Sequence, residues 1–184
     1  DCLLSRGLGD VYKRQNELWV TNTDKSSVSV YSTHDESLLK EIELVQEPFA
    51  IQKQGDNVLI LCNGGLLEQK DNPYLFTIDP INYSKTDRLD LSTLSGLPTK
   101  LDIDGSSIYV LAKHLYRVEG QSIEIVVNGD AYNYYGMEVT NNNILLNDAK
   151  DFVRQGELHR YKLDDINYHD SVTVDVIPGF IFVD

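Results

Sequence analysis

The feature of this sequence that most restricts its fold is a pattern of short alternating strands that recurs along most of its 184 residues. Pro48 and Pro98 close two copies 50 residues apart, and Pro178 follows 80 residues later, two periods of about 40. Antiparallel four-stranded units repeated at this spacing are typical of propeller blades. We therefore predict an all-β fold, a partial β-propeller of about four four-stranded antiparallel blades.

Alternation and turn residues support this prediction. Val28 and Val30 alternate with Ser29 and Tyr31, as expected of a strand with two different faces. Turn-forming residues stand where hairpins need them, at 55–57, 104–106 and 141–143. A β-sandwich is the structural alternative, but it does not explain three hairpin turns that are each followed by an apolar second strand. The predicted blades are 16–48, 49–98, 99–133 and 134–179, with a closing strand at 180–184.

The N-terminal segment 1–15 reads as foreign to the protein. Residues 5–15, SRGLGDVYKRQ, resemble the in-frame translation of a common transposon-based sequencing adapter over eleven consecutive positions. Such segments are excluded from fold reasoning, and this one has glycines at 7 and 9 and no evident strand or helix period. We therefore expect the native β-propeller fragment to begin near Asn16 and the first blade to lack its innermost strand.

Composition excludes several classes of protein. The 29 acidic and 16 basic residues give a net charge of −13, which repels phosphate backbones, so we expect no nucleic-acid partner. No apolar run approaches the ~18 residues of a membrane span. Two cysteines are too few for a disulfide framework, and Cys62, between apolar neighbours, is predicted to be a buried small hydrophobe.

Candidate binding residues come from loops that share one face of a propeller. The loop before each innermost strand and the loop between the second and third strands lie on this face, where ligands usually bind. Three tyrosines in the segment 130–136 offer flat amphipathic surfaces for a ligand, or they pack between blades. Asp148 and Lys150 either hydrogen-bond a polar ligand or, in the case of Asp148, brace the loop backbone. The candidates are Tyr132, Tyr134, Tyr135, Asp148, Lys150, Asn63 and His114.

Motifs for catalysis and for metal binding are not found. The run at 102–107, DIDGSS, lacks the later acidic ligands of a calcium loop and is explained by a β-turn. The four histidines have no HxH or HExxH spacing. There is no GxSxG, and we predict no catalytic residues, no metal site and no cofactor. A propeller enzyme of lactonase or quinoprotein-like type stays the alternative, because such enzymes assemble their sites from scattered loops.

The end of the chain resembles a known family. The segments NILLNDAKDFVRQGELHRYKLDD (143–165) and IPGFIFVD (177–184) are similar to the C-terminal part of YncE-like propeller lipoproteins of Bacteroidetes type. These proteins show an (N/T)DAKDY element followed by G.L..Y, and they finish on G.IP..F.F. Phe152 stands here for the usual tyrosine, and Asp175-Val176 stands where a glycine is common.

The resemblance implies a seven-bladed ring of which this chain is the C-terminal part. It also implies export, with attachment to the membrane only through a lipid anchor on an N-terminus that this chain lacks. Some relatives capture cobalamin above an outer-membrane transporter. The expected function is therefore a non-catalytic cell-surface propeller that binds a small nutrient, such as a corrinoid, or docks on an uptake complex in the outer membrane.

Overall fold

The computed structural model of this protein describes residues 8–45, 47–65, 71–140, 142–179 and 181. Within these ranges all regular structure is β-strand, and the sixteen strands form four antiparallel sheets of four. Each sheet is a simple meander in which strands consecutive in sequence are neighbours. The predicted all-β fold of repeated four-stranded blades, a partial β-propeller, is confirmed. No helix in the described part of the chain is long and apolar enough to cross a membrane.

The chain divides into two compact units, residues 1–99 and 100–184. The first unit holds two sheets, which consist of β1 (Leu8–Arg14), β2 (Glu17–Asn22), β3 (Ser27–Ser32) and β4 (Leu38–Glu43), and of β5 (Pro48–Gln54), β6 (Asn57–Cys62), β7 (Tyr74–Asp79) and β8 (Ser84–Asp90). The second unit holds β9 (Lys100–Asp104), β10 (Ser107–Leu111), β11 (Leu115–Glu119) and β12 (Ser122–Val127), and then β13 (Tyr134–Thr140), β14 (Asn143–Asp148), β15 (Gln155–Lys162) and β16 (Tyr168–Val176).

The core of the first unit lies between its two sheets, around the fully buried Trp19. The indole Nε1 donates to Glu17 Oε2 at 3.0 Å, and Tyr83 OH donates to the other oxygen of the same carboxylate at 2.7 Å. The polar edge of the tryptophan is therefore satisfied while its ring is removed from water. Cys62 belongs to this core and is fully buried, as the sequence predicts, and burial raises the pKa of its thiol.

The core of the second unit lies between its own two sheets. It combines aliphatic side chains with two buried tyrosines of the last sheet, and its members include Tyr109, Leu111, Leu115, Val127, Tyr134, Met137, Val139, Ile144, Leu146 and Tyr161. The two tyrosines carry hydroxyl groups into this interior, where each needs a hydrogen-bond partner. The hydrogen-bond partners of these two hydroxyls must therefore lie in the interior next to the last sheet.

The N-terminal segment differs from the sequence prediction. The first sheet does not lack its innermost strand, because β1 fills that position and pairs with β2 from Val11 opposite Val20 to Arg14 opposite Glu17. The expectation that this segment has no strand period is also wrong, since Asp10, Tyr12 and Arg14 alternate with more exposed neighbours. The adapter origin of residues 5–15 stays a prediction. Of the predicted closing strand, residues 180 and 182–184 lie outside the described residues.

An aspartate on an innermost strand joins neighbouring sheets within each unit. In the first unit Asp10 Oδ2 accepts the backbone N–H of Ile51 at 3.1 Å. In the second unit Asp102 Oδ2 accepts the backbone N–H of Val139 at 2.6 Å. Burial raises the pKa of Asp102, and its backbone hydrogen bonds partly oppose that rise. The two bonds occupy equivalent positions, between the first strand of one sheet and the first strand of the next.

We expect Asp102→Ala to lower the free energy of unfolding of the second unit by about 1–3 kcal/mol, because it leaves the Val139 amide without its acceptor. Urea denaturation followed by far-UV circular dichroism measures this loss. Asp104→Ala is the matched control, since Asp104 is an exposed residue at the end of the same strand. Equal stability of the two variants would show that the bond to Val139 contributes nothing.

Candidate functional site

A polar pocket of about 560 Å³ opens in the second unit where three loops meet. The loops are the β10–β11 connection, the segment before β13 and the β14–β15 connection. Three cationic and three anionic side chains surround the pocket together with Tyr132: Lys113, Lys150, Arg154, Asp130, Asp148 and Asp151. The sequence prediction that these loops share a face is confirmed for this unit, and it placed Tyr132, Asp148 and Lys150 among the candidates.

Backbone-directed hydrogen bonds hold two of these loops against each other. Asp148 Oδ1 accepts the backbone N–H groups of Asn133 at 2.9 Å and of Lys150 at 3.0 Å. Ala149 N donates to Asn133 O at 3.0 Å, and Asn133 Nδ2 donates to Lys150 O at 3.1 Å. Asp148 therefore braces the loop backbone, which is one of the two roles the sequence allows. Its second oxygen, Oδ2, lies 3.4 Å from Lys150 Nζ.

The β14–β15 loop adopts an uncommon backbone conformation. Lys150 and Phe152 both have positive φ, at 53° and 63°, a region that side chains other than glycine rarely adopt. Backbone amides of Val153 and Arg154 donate to Asp151 Oδ1 at 3.1 and 2.9 Å. These bonds, led by that from Arg154, lower the pKa of Asp151 to about 2. The tight loop keeps three of the charged side chains at the pocket.

The three candidate tyrosines take different positions. Tyr132 lies in the loop before β13 and lines the pocket, whereas Tyr134 and Tyr135 belong to the strand itself. Tyr134 is buried, and its hydroxyl contacts Tyr161 OH at 2.7 Å and His159 Nδ1 at 3.1 Å. Tyr135 is exposed and meets the ring of Phe152 edge-on, with centroids 5.5 Å apart. The prediction that all three lie in one loop is wrong for Tyr134 and Tyr135, because β13 begins at Tyr134.

Aromatic rings surround the buried His159. The rings of Tyr132, Tyr134 and Tyr168 approach it edge-on at centroid distances of 4.8, 5.6 and 5.9 Å. Burial is the main cause that raises the pKa of Tyr134 well above its usual range, and it also raises the pKa of Tyr161. Both phenols are therefore neutral at ordinary pH, and either can donate the hydrogen bond between them.

A chain of charged contacts connects His159 to the pocket. Its Nε2 donates to Glu157 Oε2 at 3.0 Å, and Lys150 Nζ contacts the same carboxylate oxygen at 2.9 Å. Lys150 Nζ also lies 3.4 Å from Asp148 Oδ2. The Lys150 hydrogen bond is the main cause that lowers the pKa of Glu157, and the Glu157 carboxylate in turn raises the pKa of Lys150. Both groups are thus held in their charged forms.

Two of these residues, Glu157 and His159, are absent from the sequence prediction. They join the candidate site because the β14–β15 ladder sets Asp148 directly opposite Glu157, with His159 two residues further on the same face. The ligand atoms of the three side chains lie within 4.8 Å of one another, close enough to share one metal ion. The signal in the sequence is an acidic residue two positions before a histidine in a strand, opposite a strand that ends on an aspartate.

His114 and Asn63 do not join this network through any described contact. His114 is buried next to Leu115, and its Nδ1 accepts the backbone N–H of Gly129 at 3.0 Å, which anchors the loop before β13. Asn63 belongs to the first unit, follows β6 and is fully buried. Its Oδ1 accepts the backbone N–H of Gly65 at 3.1 Å, and its Nδ2 has no hydrogen-bond partner among the residues that the structure describes.

Comparisons with known proteins identify the fold. No family model matches the chain, and no curated protein matches it in sequence. Hydrazine synthase of Kuenenia stuttgartiensis is similar in structure, with a TM-score of 0.74 and 11% identity over 92% of this chain and 49% of that one. The dihydro-heme d1 dehydrogenase NirN gives a TM-score of 0.65 and 14% identity over 91% of this chain and 38% of that one.

A putative exported protein of Bacteroides fragilis is also similar, with a TM-score of 0.57 and 13% identity over 90% of this chain and 58% of that one. The chain therefore spans between about two fifths and three fifths of the length of these three proteins. The matched folds are of the β-propeller type, and this chain has the fold of a partial β-propeller. Two of the names are those of enzymes, so the fold by itself does not select between an enzyme and a binding protein.

Proposed function

We propose that the protein is a non-catalytic β-propeller that binds a small polar nutrient in the pocket beside Lys150. The observation that carries the proposal is the convergence of Tyr132 with three cations and three carboxylates on loops that are tied together. Binding sites in proteins commonly have volumes of roughly 300–1,000 Å³ and few, well-oriented polar groups. A flat ring beside paired charges suits a ligand that carries both an apolar surface and amide or charged groups.

A corrinoid is the leading candidate for this ligand. It presents a flat macrocycle bordered by amide side chains, and amides accept from lysine and donate to carboxylates. The pocket offers Lys113 and Lys150 as donors and Asp130 and Asp151 as acceptors. The resemblance of residues 143–184 to YncE-like lipoproteins, some of which capture cobalamin, favours the same ligand. On this proposal the pocket binds the amide groups at the edge of the corrinoid.

Location and partner form part of the proposal. The same resemblance favours an exported protein, in the periplasm or held at the cell surface by a lipid anchor outside this chain, that delivers its ligand to an outer-membrane transporter. The full-length gene tests this directly, because a lipoprotein signal ahead of these residues supports the proposal and a cytoplasmic start contradicts it. A propeller enzyme stays the alternative function.

The binding experiment is a calorimetric titration of the chain with cyanocobalamin and with cobinamide. We expect saturable binding of at least one of them, and we expect Tyr132→Ala to weaken it by about tenfold or more, the usual effect of removing an aromatic contact at the centre of a site. Lys150→Ala should weaken it as well. Lys40→Ala is the charge-matched control, since Lys40 is an exposed cation in the first unit.

The corrinoid proposal is contradicted if neither cyanocobalamin nor cobinamide gives a heat of binding or a change in its absorption spectrum when mixed with the protein. Equal affinity of Tyr132→Ala and the unmodified chain contradicts the assigned pocket, even where a corrinoid binds elsewhere. Each variant is compared with the parent by far-UV circular dichroism before titration, so that loss of binding is separated from loss of structure.

A further inference from the structure

We propose that Asp148, Glu157 and His159 form a binding site for a divalent transition-metal ion, with Zn²⁺ as the probe. The inference goes beyond the proposed function, since it needs no organic ligand. It rests on three side chains from two paired strands whose ligand atoms lie within 4.8 Å of one another. One imidazole nitrogen with two carboxylate oxygens is a donor set that Zn²⁺ accepts.

The distances between the donors fit a small metal ion. Zinc–ligand bonds of about 2.0–2.1 Å in a tetrahedron place neighbouring ligand atoms roughly 3.3 Å apart. His159 Nε2 and Glu157 Oε2 are already 3.0 Å apart. Asp148 Oδ2 faces the same space, because Oδ1 is the oxygen that accepts from the loop backbone. The remaining donor separations are at most 4.8 Å, so closing the site requires a shift of the partly exposed Glu157 side chain.

A cation already occupies this space. Lys150 Nζ lies 2.9 Å from Glu157 Oε2 and 3.4 Å from Asp148 Oδ2, between the two carboxylates. The ammonium group balances two acids, one of them 2% exposed, that are costly to bury without a counter-charge. Its side chain is 30% exposed, so it can leave for solvent when a metal ion replaces its charge. The site is therefore built for a cation, and Lys150 competes with the metal.

The surroundings of His159 support its role as a ligand. Metal-bound histidines donate their other ring N–H to a neighbouring group, which fixes the ring and its tautomer. Here Nδ1 lies 3.1 Å from Tyr134 OH, and that hydroxyl lies 2.7 Å from Tyr161 OH. Both phenols can donate or accept, so the chain of hydrogen bonds can reverse direction. The ring then carries its proton on Nδ1 and presents a bare Nε2 to the metal.

The test is calorimetric titration with ZnCl₂ in a Cys2→Ser background, which removes a thiol that could compete for the metal. The other cysteine, Cys62, is fully buried and is therefore left unchanged. We expect one ion per chain, with affinity at least tenfold lower in Glu157→Gln, which keeps the shape and removes the charge. Lys150→Met should bind more tightly than the parent, because the competing ammonium is gone. Titration with Co²⁺ should give the intense visible bands of a four-coordinate N/O site.

His169→Gln is the matched control, because His169 is an exposed histidine on β16 outside the three-residue group, and its loss should leave the affinity unchanged. The increase in Lys150→Met is the result that a merely structural role of these residues does not produce. Absence of saturable Zn²⁺ binding by the parent chain overturns the proposal. So does equal affinity in Glu157→Gln, which places the ion elsewhere. Neither result bears on corrinoid binding, which is measured without added metal.

Discussion

Gly129→Ala is expected to destabilise the second unit by about 3 kcal/mol or more, because the added methyl group has no space. A Cβ at this position would lie 2.0 Å from the backbone carbonyl oxygen of Lys113. The clashing atom of Lys113 belongs to the backbone, so no side-chain rotation relieves the clash. The β10–β11 connection and the loop before β13 must therefore move apart. Both loops line the pocket, so its shape changes as well.

The separation breaks specific contacts. Gly129 N donates to His114 Nδ1 at 3.0 Å, and Tyr132 N donates to Gly129 O at 3.1 Å. We therefore expect the variant to lose ligand affinity along with stability, as measured by calorimetry and by urea denaturation followed by circular dichroism. Gly179→Ala is the matched control, since the nearest atom to its Cβ would be a Tyr135 ring carbon at 3.5 Å, an ordinary contact. Equal stability of the two variants would refute this account of the loops.

The strands were predictable because local patterns specify them. Alternation put Val28 and Val30 in the core, and both are fully buried. The predicted turns at 55–57 and 104–106 occur as two-residue hairpins, in which Gly55 and Gly105 adopt the positive φ of 57° and 59° that such turns require. Periodicity and turn chemistry act within a few residues of each other, so a single sequence contains all the information they need.

The site was predictable only in part, because it depends on register between strands. The loops supplied Tyr132, Asp148 and Lys150, since loop positions follow from the order of strands in a blade. Glu157 and His159 lie inside β15 and reach the site only because that strand pairs with β14 in one register. A shift by one residue would turn both side chains to the other face of the sheet. Alternation within β15 is a local signal, whereas the β14 residue that faces each position depends on pairing across the β14–β15 loop.

The strand at the N-terminus was missed for a different reason. Strand pairing uses backbone N–H and C=O groups, so an unpaired edge accepts a segment with little regard to its origin. Residues 8–14 then need only an extended conformation and tolerable side chains on the inner face. The Asp10 side chain meets that need by accepting the Ile51 amide of β5, and Tyr12 meets it by packing against the core around Trp19. The Asp10 backbone oxygen in addition accepts from Thr21 Oγ1 in β2.

Deletion of residues 1–15 is expected to destabilise the first unit by roughly 3–5 kcal/mol, the range for opening a large gap beside buried aromatic side chains. Loss of β1 removes Tyr12, which stands opposite Trp19 in the ladder, and the acceptor of the Ile51 amide. Trp19 is the only tryptophan of the chain, so its fluorescence reports directly on this unit. We expect a red-shifted emission and a lower denaturation midpoint.

The same deletion exposes the edge of β2, and unpaired edges associate. Light scattering should therefore detect oligomers of residues 16–184 at concentrations where the parent chain has none. The double variant Val11→Thr with Lys13→Thr is the control, because both side chains point outward and are exposed, and it should keep the parental fluorescence, stability and mass. Deletion without any change in these three measurements would show that β1 does not complete the first sheet in solution.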